Sequence, residues 1–248
     1  PMVTTFHSLC VRILRQDIES LGEGYNKSFT IYDTDDSLKV IKACIKDIGF
    51  DEKQLSPRQA LTGISSAKNR GEDVSLFTSK VESTDEKRAA IAKIFKLYED
   101  RLRNANALDF DDLLIKTVRL LRLSPEVREK YNNRFKYLLV DEYQDTNPLQ
   151  FALIGYLTEK QQNICVVGDD SQSIYAFRQA DIRNILEFEN HFENSKTILL
   201  EQNYRSTQTI LDVADAIIKN NQNRKDKKLW TANPGGDRIF YYQAFDGD

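Results

Sequence analysis

Residues 137–142 are Tyr-Leu-Leu-Val-Asp-Glu, a short apolar run that ends in two carboxylates. Two similar runs follow, Ile-Cys-Val-Val at residues 164–167 and Thr-Ile-Leu-Leu at residues 197–200, and polar residues follow each of them. Helical patterns fill the intervals, and Asn147-Pro148 offers a helix start in the first. Short apolar runs that alternate with helices are typical of a parallel sheet with helices on both faces, so the sequence predicts an α/β fold.

The polar residues after these runs predict a ligand site. Parallel strands end at one edge of a sheet, and open α/β sheets bind ligands at that edge. Asp141 and Glu142 suit nucleotide hydrolysis there, because Asp141 can hold Mg²⁺ and Glu142 can orient and deprotonate an attacking water. Taken alone, the pair leaves a simpler alternative open, in which Asp141 only ends the strand and Glu142 faces solvent.

Residues 33–105 have a different, helical period. Apolar residues recur there at three- and four-residue steps, and residue types that begin helices stand at residues 33–35, at Ser56-Pro57 and at residues 84–86. No strand-like run interrupts them. We therefore predict a small all-helical unit over about 33–105, inserted between segments of α/β type.

Composition restricts the partners and the compartment. The 248 residues are 40% hydrophobic with a net charge of −3, which indicates a folded protein without the positive field that holds polyanions nonspecifically. Any contact with nucleic acid is therefore expected to be local. Three widely spaced cysteines indicate a reducing compartment, and the lack of an apolar run of roughly 18 residues favours a cytoplasmic location.

Longer strings around the runs resemble the motifs of a known family. Residues 140–147, Val-Asp-Glu-Tyr-Gln-Asp-Thr-Asn, resemble motif II of the UvrD/Rep/PcrA-type superfamily 1 helicases, which translocate 3′ to 5′ on single-stranded DNA. Residues 167–175 resemble motif III, residues 202–206 resemble motif IV, residues 5–8 are similar to motif Ib, and residues 108–113 match a segment before motif II. The resemblance implies part of an ATP-dependent DNA helicase with a RecA-like (P-loop NTPase) fold.

The register of the resemblance also implies domain boundaries. Residues 1–32 and 106–200 would form the first RecA-like domain (1A), and residues 33–105 would be its inserted helical subdomain (1B). Residues 201–248 would begin the second RecA-like domain (2A). The helical unit expected from periodicity coincides with subdomain 1B.

The resemblance implies ATP and Mg²⁺ as cofactors and gives each site residue a role. Asp141 would hold Mg²⁺, Glu142 would be the catalytic base, and Gln172 would touch the γ-phosphate and report its loss. Arg205 would place a guanidinium on the γ-phosphate, and Tyr204 would stack on the adenine. Two simpler alternatives stay open: Arg205 pairs only with a carboxylate, or Tyr204 fills the core.

The resemblance also implies a DNA track, with single-stranded DNA and single-strand/duplex junctions as partners. Phe177 would stack on a base and Arg178 would contact the backbone, next to Tyr175. Phe6 and His7 would belong to the same surface. A core or capping role for His7 stays open.

The chain departs from the family's pattern at several points. Gln179 stands where the family usually has glycine, which is expected to stiffen or reshape the loop, and Phe177 stands where it often has tryptophan. None of the ten glycines is followed by lysine, so the chain has no Gly-x-x-x-x-Gly-Lys-Ser/Thr loop to cradle phosphates, and motifs V and VI are not found either. We therefore expect this chain alone to hydrolyse ATP poorly or not at all.

Two other functions stay open from the sequence. The same motor drives helicase-nucleases, so a nuclease segment in the parent protein is compatible with these motifs. The other alternative is a non-catalytic scaffold that binds DNA or a repair partner, but such a scaffold has no need of the intact set of acids, amide and guanidinium. The motifs fit DNA repair and DNA replication equally.

Overall fold

The computed structural model of the chain describes residues 1–82, 84–176, 179–221 and 227–243. In chain order the helices and strands are α1 (Phe6–Asp17), β1 (Thr30–Ile31), α2 (Thr34–Asp47), α3 (Pro57–Asn69), α4 (Val74–Ser79), α5 (Glu86–Asn104), β2 (Ala107–Leu108), α6 (Phe110–Leu123), α7 (Pro125–Arg134), β3 (Leu138–Val140), α8 (Pro148–Thr158), β4 (Ile164–Val166), α9 (Arg183–Leu186), α10 (Phe188–His191) and α11 (Gln208–Ile218). Both strand pairs are parallel. The chain is therefore a mixed α/β protein in which helices predominate.

Helices α2 to α5 pack around a core of their own. Helix α2 packs on α3 and α5, and α4 packs on α5, around buried residues such as Ile64 and Phe95. The helices begin where the sequence predicts, since the side chains of Asp33, Ser56 and Asp85 accept hydrogen bonds from first-turn N–H groups. The helical character of this segment is confirmed, while its status as an inserted subdomain stays a prediction.

A second core surrounds α6. Helices α1, α7 and α8 pack against α6, and buried residues such as Ile13 and Leu120 fill the space between them. Strands β1 and β2, which flank the helical unit, pair with each other. The chain therefore enters and leaves the helical unit at adjacent strands.

Strands β3 and β4 form the sheet at which the predicted site lies. Leu138 is opposite Ile164, and Val140 is opposite Val166. One face packs on apolar residues of α8, α9 and α10. The other face is open, since Leu139 is 77% exposed.

Two parts of the fold prediction are wrong. Residues 197–200 form no strand with any partner in the described ranges, and Ile198 and Leu200 are exposed. Helices cover only one face of β3 and β4 in those ranges, not both. An apolar run becomes a buried strand only where other elements supply hydrogen bonds and cover, and the described residues supply neither a strand partner nor cover to residues 197–200. A RecA-like topology beyond the parallel pair stays a prediction.

The segment after residue 200 contributes α11 and an isolated β-bridge. Gln202 and Trp230 form a parallel bridge, with hydrogen bonds from Asn203 N to Trp230 O and from Trp230 N to Glu201 O. The chain thus returns beside the residues that resemble motif IV. None of the described helices is both long and apolar enough to cross a bilayer.

Candidate active site

Asp141 and Glu142 follow directly on β3, and both are exposed. The main-chain N–H of Glu142 donates a hydrogen bond to Asp141 Oδ1 at 2.9 Å. Glu142 has φ +50°, in the left-handed region that non-glycine residues rarely adopt and that is enriched at functional sites. The chain therefore turns sharply at the strand end and leaves two carboxylates on the surface.

Strand β4 ends at the same edge, because hydrogen bonds hold the two strand ends together. Val167 N donates to Val140 O at 2.8 Å, and Tyr143 N donates to Val167 O at 3.0 Å. A 3₁₀ turn, Asp170–Gln172, follows, and the Gln172 side chain is exposed. We call this edge the rim, comprising residues 141–142 and 168–172.

Asp169 organises the loop within the rim. Its Oδ1 accepts a hydrogen bond from Ser171 N, and its Oδ2 accepts one from Gln172 Nε2, each at 2.9 Å. Lys227 forms an ion pair with Asp169 and another with Asp170 at 3.2 Å. Burial alone would raise the pKa of Asp169, but its hydrogen bonds, above all that from Lys227, lower it. The sequence analysis missed this pairing because Lys227 is 58 residues away along the chain.

Gln144 links the two strand ends, and the sequence analysis missed it as well. Its side chain is only 1% exposed. Its Nε2 donates to Glu142 Oε2 at 2.8 Å, and its Oε1 accepts from Asp169 N at 3.0 Å. A Cβ added at Gly168 would lie 2.6 Å from that Oε1, so the close approach requires glycine. Direct hydrogen bonds therefore connect Glu142 to the loop that carries Gln172.

Tyr204 and Arg205 lie on a tight turn held by Asn203. The Asn203 Oδ1 accepts hydrogen bonds from Arg205 N at 2.9 Å and from Ser206 N at 2.7 Å. Tyr204 is 78% exposed and does not fill the core, and its hydroxyl donates to Gln202 Oε1 at 2.9 Å. Among the described residues, no hydrogen bond or ion pair joins Tyr204 or Arg205 to the rim. Their role at a nucleotide stays a prediction.

Phe6 and His7 form the start of α1. Phe6 packs partly against two of the cores, and the His7 ring lies edge-on to Phe110 at a centroid distance of 6.2 Å. Burial lowers the pKa of His7, and the charge of Asp111 opposes this shift only in part. At neutral pH the half-buried ring is therefore uncharged and can stack or donate a hydrogen bond without adding positive charge.

The remaining DNA-binding candidates lie after the rim. Tyr175 is 37% exposed, whereas Phe177 and Arg178 lie outside the described residues. Gln179 has φ +66°, which explains why glycine suits this position. Its side-chain Nε2 also donates to Ser66 O on α3 at 3.1 Å. This bond ties the loop to the helical unit.

The donors at the rim fit a magnesium ion held mainly by water and phosphate. In the part of the chain that the structure describes, no group of three or more His, Cys, Asp or Glu side chains could hold a metal alone. Mg²⁺ in phosphate-transfer sites takes one or two carboxylates and keeps several waters. The exposed carboxylate of Asp141 is of that kind, whereas Asp169 and Asp170 already pair with Lys227.

An acidic pair and a polar loop thus lie together at the ends of the two parallel strands of this mixed α/β chain. Residues 1–193 match the UvrD/REP helicase N-terminal domain, and residues 198–247 match the UvrD-like helicase C-terminal domain. The chain belongs to the UvrD-like helicase family.

Two relatives show how much of such a protein the chain represents. It is 48% identical over 242 residues to the ATP-dependent DNA helicase PcrA of Staphylococcus aureus strain COL, and equally to that of Staphylococcus epidermidis. These matches cover 98% of this chain and 33% of each relative. The chain thus spans about a third of the length of the curated relatives it matches.

Proposed function

We propose that this chain is part of an ATP-dependent DNA helicase that translocates 3′ to 5′ on one strand and unwinds duplex DNA. The observation that carries the proposal is the rim, where hydrogen bonds through Gln144 connect Glu142 to the loop of Gln172. Membership of the UvrD-like family supports DNA as the substrate. The 48% identity to helicases named ATP-dependent supports ATP as the energy source.

The two carboxylates of the rim have different tasks in this proposal. Asp141 holds Mg²⁺, which when bound neutralises charge on the phosphates. Glu142 accepts a proton from the attacking water while the water oxygen bonds to the γ-phosphorus, the bond from that phosphorus to the β–γ bridging oxygen breaks, and ADP leaves. Gln172 places its amide on the γ-phosphate, and to do so its Nε2 leaves the Asp169 carboxylate.

The proposed domain division puts the rim in the first of two RecA-like domains. Residues 1–32 and 106–200 form domain 1A, residues 33–105 form the inserted subdomain 1B, and residues 201–248 begin domain 2A. The pairing of β1 with β2 supports the insertion, since an inserted unit must leave and rejoin its host at neighbouring points.

The second domain completes the nucleotide site in this proposal. Arg205 contacts the γ-phosphate with its planar guanidinium, and Tyr204 stacks on the adenine. Both side chains are exposed on the turn that Asn203 holds, so they are free to reach a nucleotide. The ion pairs of Lys227 with Asp169 and Asp170 bring the later segment to the rim.

The DNA track depends on stacking more than on charge. A net charge of −3 provides little general attraction for a polyanion, whereas each stacked base contributes about 1–3 kcal/mol. The track takes single-stranded DNA and single-strand/duplex junctions, and we assign to it Phe6, His7, Tyr175, Phe177 and Arg178. The neutral ring of His7 suits such a surface.

The isolated chain hydrolyses ATP poorly in this proposal. No glycine of the chain precedes a lysine, so the loop that cradles the phosphates is expected from other parts of the parent protein. For this reason the tests below use the full-length parent.

Tailed DNA duplexes and ATP hydrolysis test the proposed function together. The full-length protein should hydrolyse ATP faster with single-stranded DNA and displace a strand from a 3′-tailed duplex but not from a 5′-tailed one. Asp141→Asn should raise the Mg²⁺ concentration needed for half-maximal hydrolysis, since it removes a carboxylate ligand. Glu193→Gln, at an exposed residue away from the rim, is the control. The proposal would be overturned if single-stranded DNA did not change the rate of ATP hydrolysis, or if the protein unwound the 5′-tailed duplex but not the 3′-tailed one.

A further inference from the structure

Gln144 is a buried amide whose orientation its neighbours determine. Its Oε1 faces the main-chain N–H of Asp169, which can only donate, so its Nε2 must face the carboxylate of Glu142. Both bonds are short, at 3.0 and 2.8 Å. No other residue type of this length supplies an acceptor and a donor at these two points.

The surroundings of Gln144 leave its side chain little freedom. The close approach to Gly168 excludes any side chain at that position. The hydroxyl of Ser173 donates to the main-chain oxygen of Gln144 at 3.3 Å and fixes its backbone to the far end of the loop. The amide is therefore held rigidly between the two strand ends.

The side chain of Glu142, in contrast, is exposed and would have several rotamers without a partner. Its Oε2 accepts the hydrogen bond from Gln144, which holds the carboxylate in one position. Asp169 in turn accepts the Gln172 amide at 2.9 Å. The bonds form one path from Glu142 through Gln144 and Asp169 to Gln172.

We propose that Gln144 is a positioning residue that aims the Glu142 carboxylate and ties its position to the 168–173 loop. This inference rests on the proposed function, because it matters for the reaction only if Glu142 is the base. When Gln172 moves from Asp169 to a γ-phosphate, the loop shifts and Gln144 carries the shift to Glu142. Loss of the amide leaves nucleotide binding intact and lowers the rate of the chemical step.

Two substitutions separate the bonds of Gln144. Gln144→Glu keeps the acceptor for Asp169 N and the side-chain length but loses the donor to Glu142. Gln144→Met keeps the length and loses both bonds. Loss of a side chain that holds a catalytic group in place commonly reduces rates by ~10- to 100-fold, and that is the expected loss in kcat for both variants.

Asn184 provides a matched control. It is also a buried amide, and its Nδ2 donates to the main-chain oxygen and the hydroxyl of Thr146, at 3.0 and 3.1 Å. It bonds to neither Glu142 nor Asp169 in the described ranges. Asn184→Ala should therefore lower the unfolding temperature while the kcat of the folded protein changes little.

The experiment measures kcat for DNA-stimulated ATP hydrolysis and the Kd of a fluorescent ATP analogue in the full-length protein. For both Gln144 variants we expect the stated loss in kcat with a Kd within about twofold of the wild type. In a Glu142→Gln background, Gln144→Met should cause no further loss, because the two residues act as one unit. This comparison uses the kcat of folded protein only, so it does not require the single and double variants to be equally stable.

Three outcomes would overturn the inference. They are a normal kcat in Gln144→Glu and Gln144→Met, losses that merely follow the unfolding temperature as in Asn184→Ala, and full additivity with Glu142→Gln. A wild-type protein without DNA-stimulated hydrolysis would instead overturn the proposed function. The two failures are therefore distinguishable.

Discussion

The carboxylates around Lys68 and the two rim carboxylates that follow β3 differ in burial and in charge partners. In the first group, which we call the Lys68 cluster, Lys68 Nζ lies 2.7 Å from Glu99 and 2.8 Å from both Asp109 and Asp112. The residues of this cluster are largely buried and join α3 and α5 to the start of α6. At the rim, Asp141 and Glu142 are exposed, and among the described residues neither pairs with a cation.

Burial and charge shift the pKa values of the two aspartates of the Lys68 cluster in opposite directions. Burial alone would raise the pKa of Asp109, but the charge of Lys68 and the hydrogen bonds together lower it. Burial and the charges of Asp109 and Glu99 raise the pKa of Asp112 well above its usual value. Burial opposes the charge of Lys68, yet the surrounding carboxylates raise the pKa of Lys68 further. The cluster is thus a closed structural unit, whereas the rim has charge left for a ligand.

The largest expected effect in this comparison is on folding, from Lys68→Met. The substitution leaves buried carboxylates without their cation, and removal of one partner from a buried ion pair costs about 3–5 kcal/mol. Chemical denaturation should show this loss in the free energy of unfolding. Lys39→Met, at an exposed lysine paired with Asp36, should leave that free energy unchanged. Equal behaviour of the two variants would show that the cluster does not stabilise the fold.

The next effect distinguishes two aspartates of the same cluster. Asp109→Asn removes the charge that balances Lys68 while asparagine still caps α6, so a loss of about 2 kcal/mol is expected. Asp112→Asn should cost less, since burial and the charges of Asp109 and Glu99 raise the pKa of Asp112 and favour its neutral form, which asparagine resembles. The stability that the raised pKa of Asp112 gives to the protonated form is lost as the pH rises through the pKa of Asp112 in the folded protein. Denaturation at mildly acid pH measures both, and a larger loss for Asp112→Asn would reverse the proton assignment.

A smaller effect on stability is expected at Glu72, a buried carboxylate that forms ion pairs with the exposed side chains of Arg70 and Lys80. Hydrogen bonds from Arg70 are the largest influence on the pKa of Glu72, and those from Lys80 act in the same direction. Although burial opposes them, together they lower the pKa of Glu72 to about 2. Its contribution to stability, about 1 kcal/mol, is complete above pH 4.5 and is lost as the pH falls towards about 2. The difference in unfolding free energy between wild type and Glu72→Gln should shrink over that range. A difference that grows on acidification would contradict this sign.

The smallest expected effect is at Gln179. Gln179→Gly relieves a left-handed backbone but loses the hydrogen bond to Ser66, and these terms of about 1 kcal/mol each nearly cancel. Gln162 has φ +49° and is exposed, so Gln162→Gly should stabilise the protein slightly. The difference between the two free energies measures the tie between the loop and α3. A stabilisation at Gln179 as large as that at Gln162 would show that the tie contributes nothing.

Local signals predicted helices α2, α3, α5 and α8 and the strand ends at which the rim lies. Helix caps such as Asp33, Ser56 and Asn147 act within four residues, so the sequence displays them directly. The position of Asp141 follows from the apolar run before it, because parallel strands bring such residues to one edge. The role of Gln172 came only from the resemblance to motif III.

Interactions between distant residues were not predictable in this way. Lys68 and Asp112 are 44 residues apart in the sequence, and no local pattern predicts that their side chains form a hydrogen bond. Residues 197–200 have the composition of a strand, but strand formation depends on partners that a local pattern does not contain. Gln144 gave no local signal either, because its role follows from the Glu142 carboxylate and the Asp169 main-chain N–H, which the fold brings to its side chain.

Single-turnover ATP hydrolysis by full-length Glu142→Gln, in the presence of single-stranded DNA, tests most directly whether the rim carries the chemistry. Removal of a general base lowers such rates by about 10²- to 10⁴-fold. We predict a loss of that size with unchanged binding of the nucleotide and an unchanged unfolding temperature, because the side chain is exposed. Hydrolysis within about twofold of the wild type, by protein that folds and binds ATP normally, would contradict the assignment of the rim as the site of hydrolysis.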